Sequence, residues 1–132
     1  LARGAVDSIG TDHAPHTRAE KERDLLTALF GIANLEVAFP LLFTELVQTG
    51  IIPLAELVRL LTTGPANVMG WHEPLIEVGM PADLTLFDTS TVRPVEARTF
   101  ATKAKFSPWE GQQLSGWPSA TIVAGNVVYE RL

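Results

Sequence analysis

Ser8-Ile9-Gly10-Thr11-Asp12-His13-Ala14-Pro15-His16-Thr17 decides how the rest of the chain is read. It sets one carboxylate and two of the chain's three histidines within five residues. The preceding run, Ala5-Val6-Asp7-Ser8-Ile9-Gly10, reads as the end of a buried strand. Pro15 and a charged run, Arg18-Ala19-Glu20-Lys21-Glu22-Arg23-Asp24, follow it. Where a strand passes into a loop, the strand fixes a side chain and the loop leaves room for substrate. Barrel enzymes place catalytic groups at such junctions.

With 132 residues, the chain has the length of one domain and can bury a core. Apolar residues make up 46% and charged residues 19%, a globular balance. Without cysteine there is neither a disulfide nor a thiolate metal site. The net charge is -5, the pI about 5.1, and the basic residues are scattered. Both features argue against a nucleic-acid surface. No apolar run approaches the roughly 20 residues that cross a bilayer, so no membrane partner is expected. The chain starts at Leu1 and opens almost at once on a strand-like run. A fragment or processed product is therefore expected.

Outward from the opening stretch, residues 18 to 30 predict a helical turn or two with the charged part solvated. Gly31, in Phe30-Gly31-Ile32-Ala33-Asn34-Leu35-Glu36, either breaks one helix before the next or lets backbone approach a ligand. Leu35, Ala38, Phe39, Leu42, Phe43, Leu46 and Val47 then repeat with the spacing of one buried helical face. Pro40 should kink that helix or mark its effective start, and Gly50 should cap it. Pro53 is expected at the first position of the next helix, with Leu54, Leu57, Val58 and Leu61 as its buried stripe. A short helix from Pro65, capped by Thr63 or Gly64, should end at Gly70. His72 reads as a solvated or structural histidine. From Gly79 the pattern turns to strands, and Asp83 is expected to fix a turn by bonding to backbone. Ala120 to Ala124 and Val127 to Tyr129 read as a hairpin around Gly125-Asn126.

Several of these stretches carry a resemblance. Thr11-Asp12-His13-Ala14-Pro15-His16-Thr17, followed by Glu20-Lys21-Glu22, resembles the signature around the last barrel strand of dihydroorotases, zinc-dependent cyclic amidohydrolases of pyrimidine synthesis. Residues 30–36 are similar to the Phe-Gly-Ile-x-Gly-x-Glu segment of that family, with Asn34 at the second Gly. Lys103-Ala104-Lys105-Phe106-Ser107-Pro108-Trp109-Glu110-Gly111 resembles its Lys-x-x-x-x-Pro-Phe-x-Gly segment, with Trp109 for Phe. Pro65-Ala66 with Gly70, and Gly79 with Ala82-Asp83-Leu84, match turns common to urease-related amidohydrolases. The matches span nearly all of the chain, but only as the C-terminal portion of such an enzyme.

The resemblance implies an α/β fold. Residues 1–70 would be the last strand of a (β/α)8 barrel, its active-site loop and its closing helices. Residues 71–132 would belong to a small β-sandwich. It implies Asp12 as zinc ligand and general acid/base, His16 as donor to the substrate carboxylate, and the backbone of Phe30 and Gly31 as holders of the substrate ring. His13 would only orient. The family's His-x-His pair, carboxylated lysine and further histidines precede this stretch, so most Zn2+ ligands are expected outside the chain. Asp12, His13 and His16 sit on one short loop, which seldom reaches the tetrahedral geometry of a zinc site.

The implied reaction is reversible hydrolysis of (S)-dihydroorotate to N-carbamoyl-L-aspartate, in the cytoplasm. Implied associations are a homo-oligomer, the remainder of the enzyme, or aspartate carbamoyltransferase. Alone, the chain is expected to be inactive. Two other readings stand beside this one: a non-catalytic structural partner of aspartate carbamoyltransferase, and another cyclic amidohydrolase such as a hydantoinase or allantoinase. Retention of Asp12 and His16 leans against the former, and the residues after Asp12 disfavour the latter.

Overall fold

A computed structural model describes residues 3–131, so Leu1, Ala2 and Leu132 at the outer ends of the two expected parts lie outside the described residues. Among the described residues four α-helices come first: α1 (Arg18–Lys21), α2 (Ala38–Leu42), α3 (Leu54–Leu61) and α4 (Thr63–Met69). Five strands follow: β1 (Leu84–Asp88), β2 (Arg93–Pro94), β3 (Gln113–Leu114), β4 (Trp117–Val123) and β5 (Asn126–Glu130). The expected change from helix to strand after residue 70 is present.

The run from Ala5 to Gly10 makes no strand ladder among the described residues. A strand needs a hydrogen-bonding neighbour, and helices flank this one. Ile9 N–H donates to the carbonyl of Leu60 at 2.9 Å. Arg59 reaches the carbonyls of Val6 and Asp7. Val6 and Ile9 pack on a core of Phe43, Ile52, Leu57 and Leu60. The segment is thus half-buried on the helical side only.

Pro40 marks a helix start, as expected. A 3-10 turn covers Leu35–Val37, and Pro40 is the third residue of α2, where a missing N–H costs little. The helix then widens into a π-turn over Phe43–Val47. Most of the expected stripe faces inward: Phe43 is buried, and Phe39, Leu42, Leu46 and Val47 pack against its core. Val37, Pro40 and Phe43 are buried, whereas Leu35 is 60% exposed. Gly50 and Gly70 hold the left-handed conformations expected of caps. Pro53 is the residue before α3 and not its first. The stripe of α3 is shifted only in part: Leu57 is buried and Leu61 packs on its core, but Leu60 is buried as well, and Leu54 and Val58 are 42% and 43% exposed. Helix α4 starts at Thr63, two residues before Pro65, because the first helical turn tolerates proline.

Strands β1, β4 and β5 form one antiparallel sheet with β4 central, and β2 pairs antiparallel with β3. The expected hairpin is present with its turn one residue earlier, at Ala124-Gly125, and Asn126 already lies in β5. Both turn residues have positive φ (47° and 80°), the geometry that matches the twist of a two-residue hairpin. Asp83 stabilises this turn. Its carboxylate accepts the Ala124 N–H at 2.7 Å, while Gly125 N–H donates to the Ala82 carbonyl. Asp83 therefore bonds to backbone, as expected, but in a turn distant in sequence.

A second core joins Val37 to Val95, Ala97, Phe100, Leu114 and Trp117, with Trp109 packed against it. Phe39 stacks on Phe87 at 3.7 Å. Helices and strands therefore share a core across residue 70. Gly64 is a tight point. A Cβ there would overlap the Asp7 carbonyl and lie 2.9 Å from that of Arg59. We predict that Gly64→Ala destabilises the fold by about 1–3 kcal/mol, as overpacking does. A denaturation midpoint equal to that of the parent would mean the 5–10 segment does not rest on α4.

Candidate active site

Asp12 stands in the loop that leaves the 5–10 segment. Its φ is 47°, a left-handed conformation that non-glycine residues seldom adopt. Strained positions of this kind gather at functional sites. Its side chain is exposed, and its carboxylate accepts no hydrogen bond among the described residues. It is free to act as a base or a ligand.

The loop is held against residues 29–35 by polar contacts on both sides of Asp12. His13 Nδ1 accepts two backbone N–H groups, from Asn34 at 3.1 Å and Leu35 at 3.0 Å. That atom therefore carries no proton, and the ring's N–H is on Nε2. Ala14 N–H donates to Ile32 at 3.0 Å, beside a β-bridge between His13 and Ile32. The Asn34 amide donates to the Thr11 carbonyl at 2.5 Å. Asn34 has φ -128°, so its tolerance of left-handed backbone is not used. Its side chain instead ties the two loops together.

His16 meets Gly31 directly. A Cβ on Gly31 would lie 2.9 Å from His16 Nε2 and 2.5 Å from the Ala14 carbonyl, and Gly31 has φ 129°. Both space and backbone require glycine here. The close approach that requires glycine here is to Ala14 and His16 of the chain itself. Of the expected site residues, His16 and Gly31 are thus neighbours. The Phe30 side chain is 95% exposed, which leaves only its backbone near the site. His16 Nδ1 also lies 3.9 Å from a carboxylate oxygen of Glu20.

The charged run after Pro15 was expected to be a solvated helix start, and one turn of helix forms there. Thr17 caps it, with the Thr17 and Glu20 side chains each bonding the other's backbone. The Thr17 hydroxyl holds the Glu20 carboxyl below its ordinary range, with a backbone bond from Thr17 adding to the effect. Two contacts escaped sequence reasoning. Lys21 Nζ donates to the carbonyls of Leu29 at 2.8 Å and Gly31 at 3.0 Å. The Glu36 carboxylate accepts the N–H groups of Ala101 at 2.9 Å and Thr102 at 3.1 Å. Glu36 ends the 30–36 motif and Lys103 opens the 103–111 motif. Both segments stood out as motifs, but nothing in the sequence joined one to the other. His72 is exposed in an irregular segment, as expected. A cleft beside His13, Glu36, Arg93 and Trp117 does not include Asp12, His16 or Gly31.

The donor atoms fit one ligand of a metal site. Asp12 offers a free carboxylate. His13 Nδ1 is already engaged by two amides, and His16 Nε2 lies against Gly31. Among the described residues, no three His, Asp or Glu side chains gather to hold a metal ion. No helix among them is long and apolar enough to cross a membrane.

The sequence pattern of the amidohydrolase family matches residues 1–128, and the chain belongs to that family. It is 53% identical over 99% of its length to the dihydroorotase of Deinococcus radiodurans, and 54% identical over its whole length to that of Thermus aquaticus. The chain spans 31% of the length of each of these relatives. Among solved structures, it superposes on the L-hydantoinase (dihydropyrimidinase) of Arthrobacter aurescens with a TM-score of 0.89 and 33% identity. That match covers 98% of this chain and 30% of the other.

We predict that His13→Ala lowers stability by about 1–2 kcal/mol, because two N–H groups lose their acceptor. His13→Asn, whose amide oxygen can take the place of Nδ1, should recover more than half of that loss in denaturant titration. Equal losses in the two variants would show that Nδ1 is not the atom that matters.

Proposed function

We propose that the protein carrying this chain is a dihydroorotase, catalysing reversible hydrolysis of (S)-dihydroorotate to N-carbamoyl-L-aspartate. The observation that carries this is the 53–54% identity, over essentially the whole chain, to relatives named dihydroorotase. Residues 1–70 are assigned to the last strand, active-site loop and closing helices of a (β/α)8 barrel. Residues 71–132 are assigned to a β-sandwich beside it. The helix-then-strand order supports this division.

Ring opening breaks an amide C–N bond. The carbonyl carbon becomes a carboxylate, and the nitrogen must gain a proton. Zinc, when bound, supplies a water activated at neutral pH. Asp12 would be one zinc ligand, with the others contributed from outside this chain. Its carboxylate takes a proton from the attacking water and delivers it to the departing nitrogen. His16 donates to the substrate carboxylate. The backbone of Phe30 and Gly31 holds the ring edge. Gly31 lets that backbone lie against His16, so substrate ring and substrate carboxylate are bound by adjacent groups. The enzyme is placed in the cytoplasm, as a homo-oligomer or with aspartate carbamoyltransferase.

The test uses the full-length protein. Asp12→Asn keeps the shape but loses the base, so kcat should fall by roughly 100-fold or more. His16→Ala should raise KM for dihydroorotate and leave zinc content unchanged. Near-parental turnover in Asp12→Asn would remove its assigned role, and metal loss in His16→Ala would make His16 a ligand. Turnover of hydantoins but not dihydroorotate would favour the hydantoinase reading. Absence of all turnover in the zinc-loaded parent would favour the non-catalytic one.

The residues 132 long, expressed alone, should associate and show no turnover. Leu25, Leu26, Phe30, Trp71, Ile76 and Val78 are all exposed, and large exposed apolar side chains, where they join into a patch, drive association. A monomer in sedimentation that unfolds cooperatively would contradict this.

A further inference from the structure

We propose that Lys21 is a positioning residue that presents the Phe30–Gly31 peptide to the substrate. This deepens the dihydroorotase reading and rests on it. The Lys21 ammonium lies 2.8 Å from the Leu29 carbonyl and 3.0 Å from the Gly31 carbonyl. It also sits 5.9 Å from the centre of the Phe106 ring. One cation thus joins three segments: the helical turn after the Asp12 loop, the 29–31 loop, and the segment carrying Phe106.

The two carbonyls that Lys21 grips flank Phe30. Gripping both turns those peptide oxygens toward the ammonium. The Phe30 backbone groups and the Gly31 N–H are left without a hydrogen-bond partner among the described residues. Those free groups lie next to His16, since Gly31 is packed against its Nε2. Free, oriented backbone donors and acceptors beside a histidine suit an edge of alternating N–H and C=O groups, such as the ring of a cyclic imide or ureide.

On its N-terminal side this loop has no regular structure to hold it, and its hydrogen bonds to the Asp12 loop begin at Ile32. Residues 22–30 form no helix, and Leu25, Leu26 and Phe30 expose their side chains. An ammonium has three donors on a compact head, so it can hold two carbonyls from one point. Lys21 is itself held in place by the capping box of Thr17 and Glu20 at the start of its helical turn. The other cation of that turn, Arg18, is spent on the surface pair with Glu22. The charged run therefore contains one positioning group among solvated ones.

The experiment compares Lys21→Met and Lys21→Arg with the parent in the full-length protein, by steady-state kinetics, zinc analysis and amide hydrogen exchange. Lys21→Met keeps the chain length and loses the charge. KM for dihydroorotate should rise roughly tenfold or more, with kcat within roughly threefold of the parent, as when ground- and transition-state binding weaken together. Zinc content should not change. Exchange should quicken at residues 29–32 and stay as it was in β1 and β4. Lys21→Arg should recover most of the KM. An unchanged KM overturns the proposal whatever the exchange does. So does faster exchange throughout the fold, which would make Lys21 a general structural cation. A parent unable to hydrolyse dihydroorotate would overturn the functional reading. Exchange at 29–32 would then decide Lys21's hold on the loop, and no change there would overturn that too.

Discussion

One imidazole nitrogen holds the candidate site together. His13 Nδ1 accepts the N–H groups of both Asn34 and Leu35, which start the first turn of the helical segment. Those groups have no intrahelical acceptor, because the first turn of any helix leaves its donors unpaired. A histidine from the preceding loop caps the helix in place of a local side chain. The loop carrying Asp12 is thereby fixed to the helix end. Asp12 can then sit in a left-handed conformation that a free loop would relax. Asn34 returns the tie by donating to Thr11, and the two loops brace each other.

The same logic links the helices to the strands. Glu36, two residues after Asn34, accepts the N–H groups of Ala101 and Thr102. Phe39 stacks on Phe87, and a Cβ on Gly116 would lie only 3.0 Å from atoms of Phe43. Thr44 and Ser115 hydrogen-bond across the same seam. These contacts carry the geometry of the Asp12 loop into the strand-rich half. A displacement of α2 would move His13's partners, and Asp12 with them. The strands are thus part of what positions the loop, although the residues given chemical roles all precede them.

What could be read from sequence followed local chemistry. The left-handed glycines at 50 and 70, the proline-marked helix start and the change from helix to strand were legible because each depends on a few neighbouring residues. The stripe of α3 was misplaced in part because its spacing allows more than one buried face. Which face is buried depends on the half-buried run before Asp12, and packing decides that. The hairpin turn was off by one for a similar reason. Gly125-Asn126 has the right residue types, but the bond from distant Asp83 to Ala124 fixes the register. At the site, Asp12, His16 and Gly31 stood out by residue type and by the short motifs that contain them. Lys21 and Glu36 did not. A charge in a charge run resembles a solvated one until its partners, many residues away, are known.

Shape alone does not distinguish the substrates open to this fold. The superposition on a hydantoinase reaches a TM-score of 0.89 at 33% identity, so this backbone is common to relatives named for different substrates. The distinction must come from groups that meet what one substrate carries and another lacks. Dihydroorotate bears a carboxylate on its ring; a simple hydantoin does not. A binding site for that carboxylate needs a donor near the backbone proposed to hold the ring, and His16 lies against Gly31 of that backbone. A site built to bond a charged group discriminates strongly against a ligand without it, because its own polar group is then left unpaired. In the proposed reading Asp12 would serve the chemistry that cyclic amidohydrolases share. His16, four residues further on, is where this chain would select among them.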